Sequence, residues 1–258
     1  MISIKELQLT DHQSSIKELK LTDQSLKSVL TTMGVRWSDV FYPDNPERRR
    51  KVIQLSQQLY DSMSANFRAT NRFMDFLNRH VKKCKLTHIK VDEEMTLEQN
   101  SKILIAAIEK IQAIVERVDR HLKEKLDPGI YRKLRNIDLS FRDRISTAEN
   151  SMHVVATVAA TAAAIAVCVA IASFGVLAPV VAVIGIAATS SMASVAVGAF
   201  AVFAVDAFVG AITGAIEREN LEKAIDDMEK LQAKFIPASN DYTIRIYEVL
   251  AEYRMHKK

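Results

Sequence analysis

Apolar residues recur at steps of three and four along most of this chain. Val52, Leu55, Leu59, Met63, Phe67, Thr70, Met74, Leu77 and Val81 keep that rhythm. They follow Asn45-Pro46, a capping residue and a residue suited to the first helical position, so the spacing predicts a helix from there to the low 80s. A polar break at 87–96 ends it. Leu104, Ile108, Ile111, Val115, Val118 and Leu122 then alternate steps of four and three, the seam of a coiled coil. Asp127-Pro128-Gly129 predicts a turn. Leu134, Ile137, Phe141, Ile145 and Ala148 carry helical spacing onward. Ile216, Leu221, Ala224, Met228, Leu231 and Phe235 share a later helix face. Pro237-Ala238-Ser239-Asn240 then predicts an interruption, and Ile244, Tyr247, Leu250 and Tyr253 a last short helix. Amphipathic helices of this length need partners, so the expected fold is all-α, an antiparallel helical bundle or coiled coil.

Between these halves the rhythm gives way to an unbroken apolar run. No Asp, Glu, Lys or Arg occurs between Glu149 and Asp206. The run holds Phe174-Gly175-Val176-Leu177-Ala178-Pro179 near its middle, a natural place to turn. A spanning helix needs about 20 apolar residues. The expectation is therefore a long, uncharged, Ala-rich hairpin, Met152–Ser173 going in and Val180–Val205 returning. Lys and Arg flank both ends (Arg132, Arg142 and Arg144 before, Arg218 and Lys223 after) and are absent from the turn. Positive-inside logic places the bundle and both flanks in the cytosol and the turn in or across the bilayer. The residues expected to insert are Val154, Ile165, Val169, Phe174, Gly175, Pro179, Ile184, Phe200 and Phe203. Gly198, Gly210 and Gly214 are the small residues expected to let helices approach closely. Alanine inserts weakly, so burial of the hairpin inside its own bundle is the competing reading.

Four segments follow: 1–32, 33–149, 150–216 and 217–258. The first is an extension in which Ile4-Lys5-Glu6-Leu7 returns as Ile16-Lys17-Glu18-Leu19 within a twelve-residue duplication. The others are the amphipathic bundle, the hairpin, and C-terminal helices that pack back on the bundle. Composition agrees with helices. The 258 residues include only 7 Gly and 5 Pro, too few for the turns of a sandwich or barrel. Two cysteines exclude a disulfide scaffold. A net charge of +4 is too mild to imply nucleic acid. The mean hydropathy of +0.01 averages two chemically different parts.

Phe41-Tyr42-Pro43-Asp44-Asn45-Pro46-Glu47-Arg48-Arg49-Arg50 resembles the start of the single-pass membrane and coiled-coil domain-containing protein 3 family. The resemblance continues through Lys110-Ile111-Gln112, Lys125-Leu126-Asp127-Pro128 and Tyr131-Arg132-Lys133-Leu134, and resumes at Gly214-Ala215-Ile216-Glu217. It covers most of residues 33–258. It implies a membrane protein with coiled-coil segments and brings no catalytic residues.

Motifs for catalysis are absent: no G-x-S-x-G, P-loop, H-E-x-x-H or G-x-G-x-x-G occurs. His80, Cys84 and His88 have ligand-like spacing, but Lys82, Lys83 and Lys85 would repel a metal, so no metal or cofactor is expected. The functional expectation is a non-enzymatic, membrane-anchored coiled-coil protein with an interaction or scaffold role. Its partners would be a lipid bilayer, with anionic lipid drawn by basic clusters such as Arg48–Lys51, and further copies of itself. Two alternatives stand: a pore-forming or membrane-remodelling protein that inserts its hairpin and oligomerises, and a soluble homo-oligomeric scaffold.

Overall fold

A computed structural model of the protein describes residues 42–92, 95–175, 177–189 and 215–256. Among these residues the fold is all-α, with eight helices and no strand. They are α1 (Asn45–His80), α2 (Leu97–Lys125), α3 (Pro128–Arg135), α4 (Phe141–Glu149), α5 (Met152–Val155), α6 (Ala162–Phe174), α7 (Leu177–Thr189) and α8 (Ala215–His256).

Local chemistry sets most of the boundaries. Asp44, not Asn45, is the residue before the first turn of α1, and Asn45 lies inside the helix, fully buried. Thr96 and Gln99 form a reciprocal capping box at the start of α2, with Gln99 N–H donating to Thr96 Oγ1 at 3.2 Å and Thr96 N–H to Gln99 Oε1 at 2.8 Å. Leu126 ends that helix, and Asp127 caps the next, its side chain accepting from Gly129 N–H at 2.7 Å, so Pro128 opens α3 at once.

The two longest helices form a parallel pair. Contacts between α1 and α8 climb both helices together. Arg48 pairs with Glu222 at 3.0 Å and Lys51 with Glu229 at 2.6 Å. Gln232 Nε2 donates to the Leu55 carbonyl at 2.7 Å, and Tyr242 Oη meets Thr70 Oγ1 at 2.8 Å. Tyr253 Oη meets His80 Nε2 at 2.9 Å. Heptad spacing explains the match: Val52, Leu59, Asn66 and Phe73 sit seven apart on α1, and Leu221, Met228, Phe235, Tyr242 and Val249 seven apart on α8, all buried. Within this seam Asn66 Oδ1 accepts from Ser239 Oγ and Thr243 Oγ1, both at 3.0 Å. A polar layer of this kind fixes register at some cost in stability.

The interruption expected at Pro237–Asn240 is absent. α8 runs through Pro237 without ending. Proline removes one backbone bond and costs about 3 kcal/mol in a helix interior. Burial of Phe235, Ser239, Tyr242 and Ile246 on either side of it keeps the helix continuous.

The uncharged run also departs from expectation. A turn does form: Gly175 takes the left-handed conformation (φ +63°) that glycine accepts freely, with α6 before it and α7 after. But the two helices pack on α2 and α8 rather than on each other, so the expected hairpin is corrected to two separately packed helices. Yet no helix among the described residues is long and apolar enough to cross a membrane. α6 and α7 have 13 residues each, about 20 Å of helix against a hydrocarbon core of about 30 Å. The expected membrane-spanning hairpin, and with it the membrane location with cytosolic flanks, is corrected on that ground. Residues 156–161 leave the helix altogether. There Lys82 N–H donates to the Val158 carbonyl at 3.0 Å, Ala160 N–H to the His80 carbonyl at 2.7 Å, and Thr157 Oγ1 meets His121 Nε2 at 3.0 Å. Beyond this strap, α6 buries Ala164 through Ile171 without a gap, packed on α2, α4 and α8.

Cys168 sits in that buried run. Burial pushes its thiol from the ordinary 9.0 up to about 12, and the nearby Cys84 adds to the effect. The folded chain therefore keeps a proton that the unfolded chain releases. This contribution to stability is complete below about pH 9 and is lost as pH rises toward the folded value. Wild type is expected to lose about 1.4 kcal/mol from this thiol between about pH 8 and 10, a loss absent from Cys168→Ala in urea melts. Burial likewise raises the Tyr242 phenol, but from an ordinary 10.0, so its effect enters only at the top of that window and is shared by Cys168→Ala.

Candidate functional site

α8 is apolar on two sides. One side is the seam that α1 covers. On the other, Ile244 is 53% exposed, Tyr247 37% and Met255 68%, with exposed Ala251 between them. Steps of three and four place these four on one face. Isolated surface apolar residues are ordinary, but an aligned row on a long helix is the pattern of an interaction surface. Its borders carry both charges. Arg245 pairs with Asp241 at 3.5 Å and Glu248 at 3.3 Å, which holds the guanidinium over the Phe174 ring, 5.1 Å from its centroid.

The residues expected to insert into lipid are distributed otherwise. Ile165, Val169 and Ile184 are fully buried in the core. Val154 is half-buried on α5. Phe174 is half-buried beneath Arg245, and Gly175 and Pro179 are exposed at the turn and on α7. Phe200, Phe203, Gly198, Gly210 and Gly214 lie outside the described residues. The seam residues Leu104, Ile108, Ile111, Val115, Val118 and Leu122 are all buried. α2 packs chiefly on α7 and α6, so the two helices of the uncharged run cover this seam.

His80, Cys84 and His88 do not share a helix face, because α1 ends at His80. His80 bonds Tyr253 and stacks near Phe76, with ring centroids 4.8 Å apart. His88 Nε2 meets Asp75 Oδ1 at 2.7 Å. Cys84 is half-buried, and burial raises its thiol above the ordinary value, with Arg117 opposing. Among the described residues no group of three or more His, Cys, Asp or Glu could hold a metal. The basic cluster at Arg48–Lys51 sends Arg48 and Lys51 into ion pairs with α8.

Sequence reasoning placed Arg144 only among the basic residues flanking the apolar run and missed its burial. Arg144 is 3% exposed, on the buried face of α4 between Phe141 and Ala148. The signal was present: 141, 144 and 148 keep helical spacing, so an arginine falls on the inward row.

Fold and surface together define the class, an all-α bundle whose last helix both locks to the first and offers a second apolar face. The chain belongs to the DUF4533 family, described as protein of unknown function, whose family model matches residues 48–200, more than half of the chain. No solved structure matches it.

Proposed function

We propose that the protein is a non-enzymatic helical scaffold that works by self-association, two copies meeting along the Ile244–Met255 face of α8. The exposed apolar row carries this reading. A second copy suits it because an isologous contact needs only one such patch, presented twice. Asp241, Glu248, Arg245 and Arg254 border the row, so a facing copy meets no field of a single sign. The absence of hydrolase, P-loop and dinucleotide motifs from the sequence supports a non-enzymatic role. The coiled-coil family that the segments from Phe41 onward resemble suits an interaction role as well. Its membrane span forms no part of the proposal.

Sedimentation velocity over a concentration series tests it. Wild type is expected to associate, and the double variant Ile244→Glu/Met255→Glu to weaken that association by about 100-fold. Both sites are exposed, so the thermal melt of the variant should match wild type within a few degrees. A wild type that stays monomeric at high micromolar concentration, or a variant that associates as before, sinks the proposal.

A further inference from the structure

A cavity of about 530 Å³ opens where the loop before α4, the end of α6 and the last third of α8 converge. Arg144 lines it. This side chain makes no hydrogen bond or ion pair among the described residues, and its Nε is buried without a partner. Burial lowers its pKa, and the charge of Glu252, which lines the same cavity, pulls the other way. A guanidinium largely withdrawn from solvent, with its Nε unpaired, is costly, so a protein that keeps one here has a use for it. Arg245, the other cation in the wall, is already tied to Asp241 and Glu248.

We infer that this cavity binds a monocarboxylate carried on a small apolar body, with the Arg144 guanidinium as the anchor for the carboxylate. Charge selects the ligand. Arg245 is matched by Asp241 and Glu248, while Glu252 lines the cavity without pairing to Arg144. A dianion such as phosphate would face those carboxylates with too few cations, whereas one negative charge matches the single guanidinium left unpaired. Geometry agrees: the planar fork of arginine fits a carboxylate with two parallel bonds. Shape supplies the rest. Phe141, Ala170, Phe174 and Val249 give the cavity apolar walls, and its volume falls in the range that holds small organic ligands. α4 also begins here, with Ser140 and Phe141 in the wall, so the positive end of its dipole adds to the attraction for an anion. A free organic acid and the C-terminus of a peptide share this chemistry.

The test is titration calorimetry with 4-phenylbutyrate, using 4-phenylbutan-1-ol as the uncharged control, on the full chain. The acid is expected to bind and the alcohol not. Arg144→Met should weaken the acid by roughly tenfold or more, and Glu252→Gln should tighten it about threefold by removing a repelling charge. Arg144→Met should also melt no lower than wild type, since it removes an unpaired buried charge rather than a structural contact. Arg144→Lys keeps the charge without the fork and should fall between. N-acetyl-Gly-Gly-Phe, with free or amidated C-terminus, separates the sources. Tighter binding of its free form than of the acid assigns the site to a chain end, and the reverse assigns it to a small molecule. The inference is overturned if neither carboxylate binds wild type, or if the alcohol binds as well as the acid. It is also overturned if Glu252→Gln lowers the melting temperature with no gain in binding, which makes Glu252 itself the partner of Arg144.

Discussion

Ile165→Asp is expected to unfold the protein at room temperature, or to lower its stability by at least about 4 kcal/mol in urea melts. Ile165 is fully buried on α6 among Ala164, Ala166 and Val167, with no polar partner supplied by the neighbouring side chains. A carboxylate there loses its hydration and gains nothing in return. Ile165→Ala removes only packing and should cost about 3 kcal/mol. Ala178→Asp, in the same uncharged run but exposed near the start of α7, should shift stability by less than about 0.5 kcal/mol. The contrast between two Asp substitutions 13 positions apart separates an uncharged run buried in the bundle from one whose apolar faces lie outside it. An unchanged melt for Ile165→Asp would show that α6 is not part of the core.

Pro237→Ala is expected to raise stability by about 2–3 kcal/mol, seen as a higher melting temperature and a later urea midpoint. The ring of Pro237 is exposed, so no packing is lost. Alanine restores a backbone donor and relieves the clash with the preceding turn of a helix that already continues past this point. A fall in stability would mean that the proline sets a bend on which the α1–α8 seam depends.

These two residues mark where the sequence was legible and where it was not. The six seam positions of α2 were readable from spacing alone, because a heptad pattern is local and each position reports its own side of the helix. Pro237 misled because punctuation is a local preference, and the burial of Phe235 and Tyr242 against α1 outweighs it. The uncharged run misled for a different reason. Lipid and a tightly packed protein interior impose the same demand on a helix, apolar side chains with the backbone bonded to itself. What separates the two here is the break at 156–161, and its partners are the backbone around His80–Lys82 and the side chain of His121, all distant in sequence. No composition or periodicity reports those bonds. Abundant alanine was the one local hint, since small side chains let α6 pack closely on several helices at once. The row from Ile244 to Met255 was half legible: its residues keep helical spacing, but which of two apolar faces α1 covers is a matter of register.

The parallel pairing of first and last helices also constrains how the chain is made. α1 ends at His80 and the helix that covers its seam begins at Ala215. At typical rates of synthesis, about 5–20 residues per second, α8 emerges from the ribosome on the order of 10 to 30 s after α1. Through that interval Leu59, Phe73 and their neighbours lack their partner, so the nascent chain presents an adhesive helix face for longer than most local folding events last. Slowing translation within the α6–α7 region should lengthen that interval and increase co-translational chaperone capture of the unfinished chain, while leaving the stability of the finished protein untouched.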